Sequence, residues 1–214
     1  MSGFRAWWDG LPPGVRWIFL GVVGLLVVTV VAGGIWSWLG HREELAQRSL
    51  SQVLVTAQRA SASGQSAELE GAATALRQYL TAHSSARASV QAWYVLGQVE
   101  FRRSQWDAAL AAFAEASRRD RGSIGLLSRL GQGYAYEAKG EPAKALEVYQ
   151  QALGSLGPKD FLYGDFLLAK ARAHELAKDQ AGAIATYKQY VKDLPTADRV
   201  QDVRIRLALL GTAG

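Results

Sequence analysis

A short helical phrase recurs four times along this 214-residue chain and restricts the folds open to it. The phrase is a small residue, a bulky one four later, and a small or aromatic one three beyond that. It reads Ala72, Leu76, Tyr79; Ala109, Phe113, Ala116; Ala145, Tyr149, Ala152; and Ala183, Tyr187, Tyr190. Positions i, i+4 and i+7 share one face of a helix, so each phrase is one buried stripe. The phrases are 37, 36 and 38 residues apart, a period at which helical pairs bury their faces only by stacking on their neighbours. Gly64, Gly140, Gly154, Gly157 and Pro158 punctuate Ala/Leu-rich runs, and no stretch alternates like a strand. The expected fold is all-α, an α-solenoid of about four helical pairs over 41–214, capped by a helix around Val200 to Leu210.

The second copy is the fullest. Trp93, Leu96 and Gly97 lie on a first helix, and Ala109, Phe113 and Ala116 on a second, joined around Ser104 and Gln105. The glycine leaves a gap through which the partner helix approaches closely. The third copy aligns Leu130, Gly131 and Tyr134 with these, and its Gly140-Glu141-Pro142 turn then takes up two extra residues. The fourth has Leu167, Ala171 and a terminating Pro195, and the first, with Ala60 at the small position, is degenerate as an end unit. This pattern resembles the tetratricopeptide repeat. Trp93, Phe113, Tyr134, Tyr149 and Tyr187 fall at packing positions and are expected in the core.

The opposite stripe of the first helices is the candidate partner-binding face. It carries Tyr94, Gln98, Phe101 and Arg102 in the second repeat, Gln132 and Tyr136 in the third, and Arg172 and Glu175 in the fourth. A mixture of aromatic, amide and arginine groups suits contact with polypeptide. A neighbouring helix or the chain's own terminal segment covering this face remains the alternative. Repeat domains that hold acidic chaperone tails resemble one another in a Lys/Asn clamp; this chain has no asparagine and offers Gln98, Gln132 and Arg172 there, which speaks against that ligand.

Segment 17–40 contains no charged residue. At about 1.5 Å per residue it is long enough for a hydrocarbon layer of roughly 30 Å, with Trp17 at one end and Trp36 and Trp38 at the other, where indoles favour the headgroup regions. A signal peptide has a shorter apolar stretch of about 7–15 residues. The expected domains are thus a short amino-terminal segment 1–16, a transmembrane helix 17–40 and the repeat domain 41–214. Thr29, Gly33 and Ser37 put small side chains on one face of the span, a candidate membrane-helix interface. Arg5, Arg16 and the free amino terminus before the span, against Arg42 and Arg48 after it, give a slight preference for an inside amino terminus. The repeats would then lie outside the cytoplasm, and the absence of cysteine fits an exported domain.

Catalytic constellations are missing from the sequence. His41, His83 and His174 are scattered, no His-Glu-x-x-His occurs, and Gly131 with Gly133 lacks the third glycine of a nucleotide loop. No enzyme activity, metal or cofactor is expected. The net charge of +5 is too small to demand nucleic acid, and Arg118, Arg119 and Arg121 read as cations closing a second helix, where they complement exposed carbonyls.

One charge-free segment, repeats and a closing helix, with Leu130-Gly131-Gln132-Gly133-Tyr134-Ala135-Tyr136-Glu137-Ala138-Lys139-Gly140, Ala145-Leu146-Glu147-Val148-Tyr149 and Tyr190-Val191-Lys192-Asp193-Leu194-Pro195 as the best-matching runs, resemble the YfgM-like family of bacterial ancillary translocon subunits. That resemblance implies a single-pass inner-membrane protein with a periplasmic repeat domain, partnered by SecYEG subunits and a membrane-anchored periplasmic chaperone. Trp7, Trp8 and Pro12-Pro13 depart from the family's polar leader. A scaffold of another envelope assembly, such as a division, pilus or secretion complex, fits the composition equally.

Overall fold

The computed structural model describes residues 12–212, and every regular element among them is an α-helix. In chain order these are α1 Pro13–Ser63, α2 Ser66–Ala82, α3 Ser89–Arg102, α4 Trp106–Arg119, α5 Ser123–Ala138, α6 Pro142–Leu153, α7 Tyr163–Leu176, α8 Gln180–Asp193 and α9 Val200–Thr212. The chain forms two units, one up to Leu45 and one from Ala46 onward.

In the first unit the apolar side chains of α1 find no core: Leu25, Val28 and Val30 are more than half exposed and Trp36 is 82% exposed. Thr29 donates its hydroxyl to the Leu25 carbonyl at 2.7 Å, the local bond that satisfies a hydroxyl on a helix. A side chain added at Gly33 would meet open space, and Ser37 is exposed. Among the described residues no helix is long and apolar enough to cross a membrane, so the transmembrane helix expected over 17–40 is not found there. The flanking Trp17 and Trp38 that were to mark its ends, and the basic residues Arg5, Arg16 and Arg42, lie outside the described side chains.

The second unit is the expected stack of helical pairs. Ala72, Ala109, Ala145 and Ala183 are all fully buried, and four residues on from each sit Leu76, Phe113, Tyr149 and Tyr187, none more than 8% exposed. Small groups every repeat let paired helices approach, and the bulky ones fill the space between. Trp93 and Tyr134, expected in the core, are only half-buried at its edge.

The three inner pairs turn by one device. Ser104, Gly140 and Lys178 adopt positive φ of 58°, 81° and 60°. Each amide bonds back three residues, to the carbonyls of Phe101, Glu137 and Glu175, and the next amide bonds back five, to Glu100, Tyr136 and His174, at 2.9–3.0 Å. These are the two bonds of a Schellman motif, which caps the orphan carbonyls of a helix end. The motif recurs at steps of 36 and 38 residues, so the Gly140 turn holds no extra residues; the two lie inside α5 itself, 16 residues long where α3 has 14. Only Gly140 is suited to the left-handed conformation, since a Cβ there costs about 1–2 kcal/mol. Lys178→Gly is expected to stabilise the unit by about 0.5–1 kcal/mol, part of the relief being offset by a freer unfolded chain; a urea midpoint that falls instead would show that the Lys178 side chain contributes packing.

Candidate functional site

The first helices of successive repeats are neighbours: α3 packs beside α5, and α5 beside α7. Their shared face opens into clefts. The first, about 320 Å³, lies between α3 and α5; Tyr94, Gln98, Phe101 and Arg102 form one wall, Leu127, Leu130 and Tyr134 the other, with Phe113 at the base. A second, also about 320 Å³, lies between α7 and α9 and is charged, with Asp165, Arg172, Glu175, Arg199, Asp202 and Arg206 around Tyr187. Phe101, Tyr134, Glu137 and Arg172 line a shallower hollow next to both. Tyr134 therefore belongs to every one of these spaces.

Of the residues expected on this face, Tyr94, Gln98, Phe101 and Arg102 come together in the first cleft, and Arg172 and Glu175 in the second. Gln132 and Tyr136 line neither. Gln132 donates to the Ser117 hydroxyl at 3.0 Å, and Tyr136 packs toward α6 with the Lys144 ammonium 5.7 Å from its ring centroid. The cause is helical register. A Cβ on Gly97 would fall 2.5 Å from the Phe113 ring, and one on Gly133 would collide with the Tyr149 ring. Gly133, not Gly131, is thus the counterpart of Gly97, and Tyr134 and Glu137 occupy the places of Gln98 and Phe101. The equal spacing from Gly97 to Phe113, Gly133 to Tyr149 and Ala171 to Tyr187 carries this register in the sequence.

The later repeats share an ionic arrangement. Tyr149 donates its hydroxyl to Glu137 at 2.8 Å, and Arg172 of the next first helix donates Nε to the same carboxylate at 2.8 Å, its guanidinium lying 4.7 Å from the Tyr134 ring centroid. One repeat further, Tyr187 donates to Glu175 at 2.7 Å and Arg206 of α9 grips that carboxylate with two nitrogens, Nε at 3.0 Å. Each latch joins the two helices of a repeat to the first helix of the following unit. The Arg206 hydrogen bond holds the Glu175 carboxyl below its ordinary range, while burial and then Glu175 itself push the Tyr187 phenol up to about 12. Burial likewise raises Tyr149, reinforced by Glu137. A carboxylate with a depressed folded pKa contributes stability that is present above its unfolded value and lost as pH falls through the folded one. Glu175→Gln is accordingly expected to flatten the loss of melting temperature below about pH 4; an unchanged acid limb would show that the Arg206 contact is too solvated to count.

The first repeat boundary uses a different ion pair. Glu100, its side chain 1% exposed, meets Arg77 of α2 and Arg103, burial pushing its carboxyl up against the pull of Arg77. Arg118 and Arg119, in the last turn of α4, both pair with Glu115, at 2.7 and 3.0 Å. Among the described residues no cluster of three or more His, Cys, Asp or Glu side chains could hold a metal. The clefts offer shape, aromatic faces and paired charges, which is equipment for binding.

Comparison with known proteins agrees with this architecture. The tetratricopeptide repeat family model matches residues 57–124, 104–161 and 130–198. No curated protein matches the chain. Among solved structures, a tetratricopeptide repeat protein from Parabacteroides merdae is similar at TM-score 0.60 and 14% identity, over 78% of this chain and 61% of that one. The chain thus spans less than two thirds of that relative's length. A putative kinesin light chain from Podospora anserina, built of nearly identical repeats, is similar at TM-score 0.58 and 16% identity, over 82% of this chain and 86% of that one. At such identities the structural likeness shows the fold, and the family match extends it to sequence: the chain belongs to the tetratricopeptide repeat family.

Proposed function

We propose that this chain is a membrane-anchored scaffold whose repeat face captures polypeptide, working beside the protein-export channel of a bacterial inner membrane with SecYEG subunits and a membrane-anchored periplasmic chaperone as partners. The observation that carries the binding role is the series of clefts along the first helices, where Tyr94, Phe101 and Tyr134 present aromatic faces to an open space of about 320 Å³. Aromatic and arginine side chains are the usual anchors of protein interfaces, and stacked repeats present them as an extended surface. Anchoring is supported by the charge-free segment 17–40 and by Leu25, Val28 and Val30, left exposed where lipid would satisfy them. An inside amino terminus and a periplasmic repeat domain are what the resemblance stated above implies. The export role rests on the resemblance to YfgM-like subunits.

Two measurements test this. Protease added to spheroplasts should digest the repeat domain; protection until the inner membrane is broken would place that domain in the cytoplasm and end the export reading. Crosslinking in native membranes, followed by mass spectrometry, should recover translocon subunits. Recovery of division, pilus or secretion components instead would keep the scaffold and reassign the assembly it serves.

A further inference from the structure

The boundary between α3 and α5 breaks the pattern of the later ones. Where the later repeats place Glu137 and Glu175, the second places Phe101; where they place Tyr149 and Tyr187, it places Phe113. The next first helix contributes Tyr134 at the position that Arg172 fills one repeat later. Every polar member of the latch is thus exchanged for an aromatic one whose packing leaves the space open. Phe101 is half-buried and turns its ring edge to Trp106, centroids 5.1 Å apart. Tyr94 stands over Phe113 at 6.0 Å, its phenol pushed up by burial.

Only one residue of this cleft is charged, Arg102. It is exposed, its Nη1 donates to the Ser61 carbonyl at 2.9 Å, and it pairs with no carboxylate among the described residues. Of the arginines that line the neighbouring spaces, Arg172 is engaged by Glu137 and Arg206 by Glu175. The hollow is apolar inside and has a single uncompensated cation at its rim.

The geometry points to this cleft as a pocket for one bulky apolar side chain of a partner polypeptide, with an Asp or Glu of the same segment beside it pairing with Arg102. The assignment rests on the reading of this face as a polypeptide-binding surface and gives it a specificity. An apolar side chain of phenylalanine or leucine size fits the open volume and replaces water against the Phe101, Leu127 and Tyr134 surfaces. The flanking carboxylate meets a guanidinium that is already held in place by the Ser61 carbonyl, so little ordering is needed on binding. The cleft at α7 and α9 carries three acidic and three basic side chains, the Arg206–Glu175 pair among them, and so offers no apolar hollow with a single cation at its rim.

A random 12-residue peptide library displayed on phage, selected on the full chain in detergent micelles, tests the assignment. Enriched peptides should share a Phe, Leu or Trp within a few residues of an Asp or Glu. As synthetic fluorescent peptides they should lose about tenfold in affinity on Arg102→Glu, which sits on the surface and leaves the fold intact, and regain it when their acid is replaced by lysine. Phe101→Glu, which puts into the cleft the residue found at this place in both later repeats, should abolish binding with helical content unchanged. Peptides that bind without such a pair, or that ignore both substitutions, overturn the specificity while the face remains a binding surface. Selection that yields no peptide binding to this face overturns both readings together.

Discussion

Phe113→Ala is expected to destabilise the repeat unit by about 3–5 kcal/mol, toward the upper end of that range. The cost of a large-to-small change depends on how well the hole can collapse, and here the neighbours are chosen so that it cannot. The ring is 3% exposed. A Cβ on Gly97 would stand 2.5 Å from it and one on Gly131 2.7 Å, from two different first helices. Two glycines have no side chain to swing into the vacated volume, and the helices that carry them are held by their other contacts. Urea unfolding followed by circular dichroism checks the expectation; a loss under about 1 kcal/mol would mean that α3 and α5 close over the gap.

Tyr149→Ala should be of similar size, about 3–5 kcal/mol, and its comparison with Tyr149→Phe separates packing from polarity. The ring is fully buried, edge-on to both Tyr134 and Phe166 at centroid distances of 6.3 and 6.1 Å. Its hydroxyl is one of two donors to Glu137. Phenylalanine keeps the ring and removes only that donor, which to a charged acceptor is worth about 1.5–3 kcal/mol. Because Arg172 still holds the other carboxylate oxygen, the lower figure is expected. Equal costs for the two variants would show that the latch, and not the ring, dominates this position.

The positions that could be read from sequence are those fixed by burial alone. Ala72, Ala109, Ala145 and Ala183 recur because helices cannot approach without them, and the bulky residue four later recurs because it fills the same space each time. The face of the third repeat was harder to place. Leu130-Gly131 copies Leu96-Gly97 as a string, but the glycine that receives an aromatic ring from the paired helix is Gly133. A shift of two residues turns a helix face by about 200° at roughly 100° per residue, which is why Gln132 and Tyr136 stand away from the clefts while Tyr134 and Glu137 line them. The turns hid the register further, since only Gly140 of the three left-handed residues is a glycine. Arg206 could not be paired with Glu175 from spacing, because it follows Arg172 by 34 residues where the repeat phrases step by 36 to 38. The tyrosines that donate to Glu137 and Glu175 gave no signal beyond bulk.

The exchange of ionic latches for aromatic packing makes the array respond to two independent conditions. The steps from α5 to α7 and from α7 to α9 each include a partly exposed arginine on a glutamate, a contact that dissolved salt screens. The step from α3 to α5 relies on Phe113 lodged against two glycines, and apolar packing is insensitive to such screening but weakens on cooling. Raising the ionic strength should therefore quicken amide exchange at the α5–α7 and α7–α9 steps, whereas chilling should loosen the α3–α5 step first. A protein facing a medium whose salinity and temperature vary separately would keep one end of such a surface firm under each stress.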